Sequence, residues 1–552
     1  MKKFLILSFL ILIFSSCSAG DDSSDSNNSF NNMNNNNNTN GGNVNIGGVQ
    51  DIGLFRDIID NGGVPAPSTF SDNGFFSEHY IEYPFENCGE NICMNGMLGR
   101  DISVISNDYM NVIQVVLKSW LDPSDYERPP TDFIMVIDVS GSMDSDQKMV
   151  KVREGLHLMV DGLKSTDRMS IISFSDWATQ KMDLVFADSQ ENRDMMHSVV
   201  STLIPGGSTN IYEGLEYGFD KSLISQEENR NARIVLLSDG VPTSGNTDAE
   251  EILNFAKGSV SEEVQLTSIG VGQDINYDLM KNLALEGGNF YFIENSSALT
   301  DIFVTELNYF SFPIAKEMTL TVHSQGNIQI GDSVGFGDNW IQEGNGGSAS
   351  FPTLYLASRN SNTIEDPYSR RGGGSALFLR VTGVDGYTDL GSVNINLRYL
   401  DPEIDDYVEQ YITLGELTSG GVMPVDSYYS DYEMKKSTAM LNAYLGLLQT
   451  ITYAQNWQYQ NGIDVLLTTR NWVQAVNEQL DDDDLEADIL LMDKLYLNML
   501  PYTNGDNPCY NCYYNEREDV HYGCSQGNGK NSGGTILFLI LGILFTFRRK
   551  QA

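Results

Sequence analysis

Basic side chains are scarce in this sequence: 33 Lys and Arg stand against 75 Asp and Glu, a formal net charge of −42. A surface of that sign repels phosphate backbones and anionic headgroups, which excludes nucleic acid as a partner. Histidine is scarcer still, with five residues at 79, 157, 197, 323 and 521. A nucleophilic serine or a zinc hydrolase needs such a base or ligand close by, and no HExxH or GxxxxGK[ST] string is present. Cysteine is limited to six residues, too few for a disulfide scaffold in a chain of this length. At 552 residues the chain exceeds one ordinary core, so several domains are expected.

Long apolar runs are confined to the two ends. Residues 1–19, MKKFLILSFLILIFSSCSA, carry two lysines, an apolar run and then small residues, the plan of an export signal. The order apolar, small, small, cysteine resembles a bacterial lipobox and makes Cys17 a candidate for lipidation, with Phe14 departing from the usual leucine; ordinary cleavage after Ala19 is the alternative. Residues 535–552 hold about thirteen apolar residues before Arg548, Arg549 and Lys550, short for a bilayer helix of roughly 17–25 residues. With the preceding glycine-rich segment they resemble a bacterial C-terminal sorting signal of the myxobacterial type, in which Cys524 is the processing point; a plain membrane anchor with a basic stop is the alternative. Both readings tether the protein to a bacterial cell envelope, at the outer membrane or cell surface.

The other cysteines fit an oxidising compartment. Cys88 and Cys93 lie five residues apart and are expected to close a small loop disulfide. Cys509 and Cys512, in the linker 504–534, either pair locally or join His521 and Cys524 around zinc.

Between the ends the pattern changes several times. Residues 20–49 are mostly Asn, Ser, Gly and Asp and read as a disordered tether. Residues 50–130 form an accessory region, with a helix-like IGLFRDIIDNG and a strand-like MNVIQVVLKSWL. From 131 to 310 short apolar runs alternate with helical stretches, which predicts an α/β domain with a doubly wound, mostly parallel sheet. In the clearest helix, Met149, Val152, Leu156, Met159 and Leu163 recur at steps of three and four and form one stripe toward that sheet. Residues 311–425 alternate with period two, as in an antiparallel β-sandwich that the accessory region completes. Residues 426–503 return to helical periodicity, and the DDDD run at 481–484 reads as a solvated helix start.

One apolar run ends in a polar tip, FIMVIDVSGSM, where Asp138, Ser140 and Ser142 alternate as the chain leaves a strand. One carboxylate and two hydroxyls make a hard oxygen site suited to Mg²⁺, with Mn²⁺ or Ca²⁺ as alternatives. That string alone is weak, because Ser and Asp also gather in turns. Two further segments strengthen it: GGSTN presents Thr209 before a helix, and LLSDG presents Asp239 at another strand tip. Both lie at the carboxyl ends of strands, where a doubly wound sheet binds its ligand. Asp144 and Asp146 read as the acidic start of the following helix.

In this order and spacing the three motifs resemble the von Willebrand factor type A family. The flanking regions loosely resemble inter-alpha-trypsin inhibitor heavy chain architecture. The resemblance implies a metal-ion-dependent adhesion site in which Ser140, Ser142 and Thr209 supply hydroxyls while Asp138 and Asp239 act directly or through water. It implies a binding protein rather than an enzyme, whose partner brings an Asp or Glu carboxylate to complete the coordination. An envelope scaffold holding a fixed neighbour is the second reading, and a metal-dependent hydrolase a minor third.

Overall fold

The computed structural model describes residues 42–121, 129–228, 230–261, 264–285, 288–306, 313–359, 370–383, 391–414 and 427–503. Cys17, Cys509, Cys512, His521, Cys524 and both terminal apolar runs lie outside them. Among the described residues no helix is long and apolar enough to cross a membrane.

The end of the expected tether is corrected at once. Strands β1 (Gly42–Ile46) and β2 (Gly48–Val49) occupy it, because Val44, Ile46 and Val49 supply enough apolar area to be buried in two different cores. Helices α1 (Gly53–Asp60) and α2 (Asp72–Ser77) follow, then the long strands β3 (Ile92–Ile102) and β4 (Tyr109–Ser119). Cys88, just before β3, and Cys93, its second residue, are joined by a disulfide with Cα atoms 5.7 Å apart.

Strands β5 (Thr131–Asp138), β6 (Arg168–Phe174), β7 (Ala178–Phe186), β8 (Asn231–Ser238), β9 (Val264–Val271) and β10 (Asn289–Ile293) form a seven-stranded sheet with β2, in the order β2-β10-β9-β8-β5-β6-β7. All neighbours are parallel except β6 and β7. Its helices are α3 (Lys148–Gly162), α4 (Gln190–Ser201), α5 (Ile211–Glu227), α6 (Ala249–Ser259), α7 (Tyr277–Ala284) and α8 (Ser296–Thr300). Strand β5 is apolar at consecutive positions because both faces are covered. Phe133, Met135 and Ile137 join the core under α3, α4 and α8, whereas Ile134 and Val136 join the opposite core under α5, α6 and α7. The stripe of α3 lies in the first of these cores.

The remaining strands are β11 (Ala315–Gln325), β12 (Ile328–Val334), β13 (Trp340–Glu343), β14 (Gly346–Leu356), β15 (Leu377–Gly383), β16 (Ser392–Asp401), β17 (Asp406–Leu414) and β18 (Tyr428–Tyr429). They form one antiparallel system with β1, β3 and β4, in which β1 pairs with β4 on one side and β14 on the other. Inward residues of β3, β4 and β15 meet those of β11, β14 and β16 in a single core, the arrangement of a sandwich. The letters Gly331-Asp332-Ser333-Val334-Gly335 have the GxSxG spacing of a hydrolase nucleophile elbow. Ser333, however, lies inside β12 and not on the strand-to-helix turn such an elbow needs.

Helices α9 (Tyr432–Gln455), α10 (Tyr459–Leu480) and α11 (Asp483–Met499) close the described chain and pack on α1, α2 and β4 through Phe55, Phe75, Phe76 and Val112. The described residues belong to one compact unit. At its centre is a buried ionic junction. Arg56 pairs with Glu78 (2.7 Å) and Glu294 (2.5 Å), Arg371 with Asp51 (2.9 Å) and Glu294 (2.7 Å), and Arg370 with Glu78 (3.1 Å) and Asp488 (2.9 Å). Asp482 does start α11, its carboxylate accepting hydrogen bonds from the amides of Asp484 and Leu485. It is not solvated: Lys436 holds Asp482 at 2.6 Å and the buried Asp484 at 2.9 Å.

Candidate metal centre

The tip of β5 is built by its own hydrogen bonds. The Ser140 amide donates to Asp138 Oδ1 (2.8 Å), the Ser238 hydroxyl donates to Asp138 Oδ2 (2.5 Å), and the Ser140 and Ser142 hydroxyls are 3.0 Å apart. Three consecutive alternating residues thus share one side of the turn. Backbone bonds then clip this turn to the glycine-rich loop before α5. Gly206 donates to the Val139 carbonyl (2.7 Å) and Gly141 to the Gly207 carbonyl (3.0 Å).

Gly207 has φ +89°, and a Cβ there would lie 2.9 Å from Asp176 Oδ2. The close approach matters because Asp176 accepts from the Ser208 amide (3.0 Å) and hydroxyl and so fixes the residue before Thr209. Thr209 is tied in turn to the loop after β8. Its amide donates to Thr243 Oγ1 (2.8 Å), and its carbonyl accepts from the amides of Thr243 (2.9 Å) and Ser244 (3.1 Å). The three segments carrying Asp138, Thr209 and Asp239 are therefore stitched to one another at the carboxyl ends of neighbouring parallel strands β5, β6 and β8.

Asp138, Ser140, Thr209 and Asp239 are all buried, while Ser142 faces solvent. Burial away from water pushes the Asp138 carboxyl up to about 6, against hydrogen bonds from Ser140 and Ser238 and with a further rise from the charge of Asp239. Among the described residues no cationic side chain is paired with Asp138. Asp239 is served on one oxygen: Lys148 Nζ lies 3.3 Å from Oδ2, while Oδ1 is buried with no hydrogen-bond partner among the described residues. An unpaired buried carboxylate oxygen is costly unless something completes it. No group of three or more His, Cys, Asp or Glu among the described residues is placed to hold an ion, so a cation here depends on the hydroxyls. The donors are hard oxygens, which fit Mg²⁺, Mn²⁺ or Ca²⁺ and not thiophilic metals.

Several contributors are not visible as motif residues. Ser238 is one, although it stands immediately before Asp239; Asp176 and Thr243 are others, whose roles depend on loop contacts 32 to 34 residues away in sequence. Asp144 and Asp146 are corrected. Gly141–Asp144 forms a 3₁₀ turn, Asp146 is left-handed at φ 50°, and α3 begins at Lys148 with no acidic residue in its first turn. Two histidines are occupied elsewhere: His157 and His197 face each other between α3 and α4 with Nδ1 atoms 2.8 Å apart, and His197 contacts Asp161.

Residues 132–305 match the family model of the von Willebrand factor type A domain. Among curated proteins, the human inter-alpha-trypsin inhibitor heavy chain H4 is 33% identical over 171 residues, 30% of this chain and 18% of that protein. The heavy chain H3 of Pongo abelii is 27% identical over 210 residues, 36% of this chain and 24% of that protein. The match thus spans less than a quarter of the length of these relatives. Among solved structures, a von Willebrand factor type A protein from Catenulispora acidiphila is 13% identical, covering 72% of this chain and 90% of that one, with a TM-score of 0.43. The pilus adhesin SpaC from Lactobacillus rhamnosus GG, in its open conformation, is 13% identical and covers 62% of this chain and 55% of that one, with a TM-score of 0.30.

Proposed function

We propose that this chain, which carries a von Willebrand factor type A domain over residues 132–305, is an envelope-tethered binding protein whose domain grips an acidic residue of a protein partner through a divalent cation. The observation that carries the reading is the buried, unpartnered Oδ1 of Asp239, on a loop stitched to those of Asp138, Ser140 and Thr209. A bound Mg²⁺ supplies an open coordination position to which a carboxylate can add. Asp138 and Asp239 provide the negative charge that holds such an ion. Ser140, Ser142 and Thr209 provide neutral donors, which keep the total charge low enough for an acidic ligand to approach.

The rim of the site favours a protein ligand. Trp177 on the β6–β7 turn, Ile204 on the loop of Thr209 and Val241 just beyond Asp239 are exposed large apolar residues on three of the surrounding loops. Apolar groups around a central charged contact exclude water and add affinity. The preferred partner surface is accordingly an Asp or Glu flanked by apolar side chains. Tethering is inferred from the N-terminal signal with Cys17 and from the C-terminal apolar run.

The test is a pull-down from envelope extract and from matrix proteins with Mg²⁺ or EDTA, using wild type and Asp138→Ala. Capture of a foreign or matrix ligand that is lost with EDTA and with the variant supports the adhesin reading. Recovery of one stoichiometric envelope neighbour points to a scaffold instead. Capture that survives both treatments refutes the cation bridge.

A further inference from the structure

Lys148 is an unexpected neighbour for a cation site. It is the first residue of α3, yet it is fully buried, with Nζ 3.3 Å from Asp239 Oδ2 and 2.5 Å from Asp274 Oδ1. A lysine normally keeps its ammonium in water, and the positive end of a helix disfavours it further. The local backbone is shaped to turn it inward. Asp146 and Gln147, immediately before it, both adopt left-handed conformations, at φ 50° and 57°, that side-chain-bearing residues disfavour. Gly272, at φ +85°, leaves room for the stem, since a Cβ there would lie 2.1 Å from Lys148 Cε. Strain on one side and a missing side chain on the other both serve to place one positive charge against Asp239.

That charge changes the sum at the site. Asp138 and Asp239 carry −2 between them; with Lys148 the total is −1, so a divalent cation leaves a net +1 rather than zero. Asp274 counts for less, because its side chain is 61% exposed and its charge is screened by solvent. We propose that Lys148 sets the charge of the metal site, weakening its hold on the divalent cation and strengthening the hold of the loaded site on an incoming carboxylate. This inference rests on the cation-bridge reading above. A lysine that merely tied the loop after β9 to β8 would, when removed, loosen both interactions together.

The experiment measures Mn²⁺ affinity from the free-ion EPR signal of the intact protein, and then acetate affinity at saturating Mn²⁺ from the loss of water-proton relaxation enhancement. Lys148→Met, which keeps the apolar stem, is expected to bind Mn²⁺ roughly tenfold more tightly and acetate several-fold more weakly. Asp274→Asn keeps Lys148 but removes its second partner, and is expected to bind Mn²⁺ more weakly than wild type; it carries the test if Lys148→Met does not fold. Loss of both affinities together in Lys148→Met, or a Mn²⁺ affinity of Asp274→Asn equal to or above wild type, overturns the proposal while leaving the cation bridge standing. A wild-type protein that binds no Mn²⁺ overturns both.

Discussion

Two regions of this molecule bury two or more carboxylates each, and they treat them in opposite ways. At the junction of α1, α2, β10 and α11, every carboxylate named above has an arginine, lysine or histidine against it, and Arg56 and Arg370 between them hold the carboxyl of Glu78 down to about 2 despite its complete burial. At the tip of β5, Asp138 has only hydroxyl and amide donors and its carboxyl rises to about 6. Asp239 is half served, by Lys148 on one oxygen. The junction is complete in itself and acts as internal structure. The tip is left short of positive charge, which is what a site for an external cation requires.

That contrast can be broken most forcefully at the junction. Arg370→Met leaves Asp488 with His79 alone (2.8 Å) and removes half of the Glu78 partnership, and removing one member of a buried pair typically costs roughly 3–5 kcal/mol. Urea denaturation of the variant should show a loss of that size. The pH dependence gives a second handle. Because Glu78 titrates below its ordinary value when folded, its stabilisation is fully present above pH 4.5 and is lost as pH falls through about 2. Its contribution is on the order of 3 kcal/mol, and Glu78→Gln should flatten this part of the acid-stability profile.

The tip should behave differently. Mg²⁺ at about one hundred times its dissociation constant is expected to stabilise the wild type by roughly 2.7 kcal/mol and Asp138→Ala not at all. Thermal melts with Mg²⁺ and with EDTA measure the difference, which should be absent for Asp138→Ala even though that protein folds. The smallest effect is expected at Thr243→Val, which removes the hydrogen bond to the Thr209 amide. It should cost about 1 kcal/mol of Mg²⁺-dependent stabilisation, seen in the same melts.

How far these features could be read from the sequence depends on how local their causes are. The run FIMVI is apolar at every position because alternate residues feed two cores, so a doubly wound sheet follows from composition and spacing alone. The motif residues Asp138, Ser140 and Ser142 are equally legible, since one turn aligns them. Asp484 was not, because its partners Lys436 and Arg359 lie 48 and 125 residues away, and an acidic run looks solvated until they arrive. Lys148 was hidden for a related reason: a lysine at a helix start points outward by default, and the two left-handed residues that turn it inward carry no glycine to mark them. Strands β1 and β2 were missed because an asparagine-rich segment conceals three buried aliphatic residues.

The most direct measurement is an anomalous difference map from a crystal of the protein grown with Mn²⁺. The account predicts one strong peak bounded by the hydroxyls of Ser140, Ser142 and Thr209 and by Asp239 Oδ1, absent from Asp138→Ala crystals. A tip with no peak at millimolar Mn²⁺, or the same peak in the variant, would contradict it.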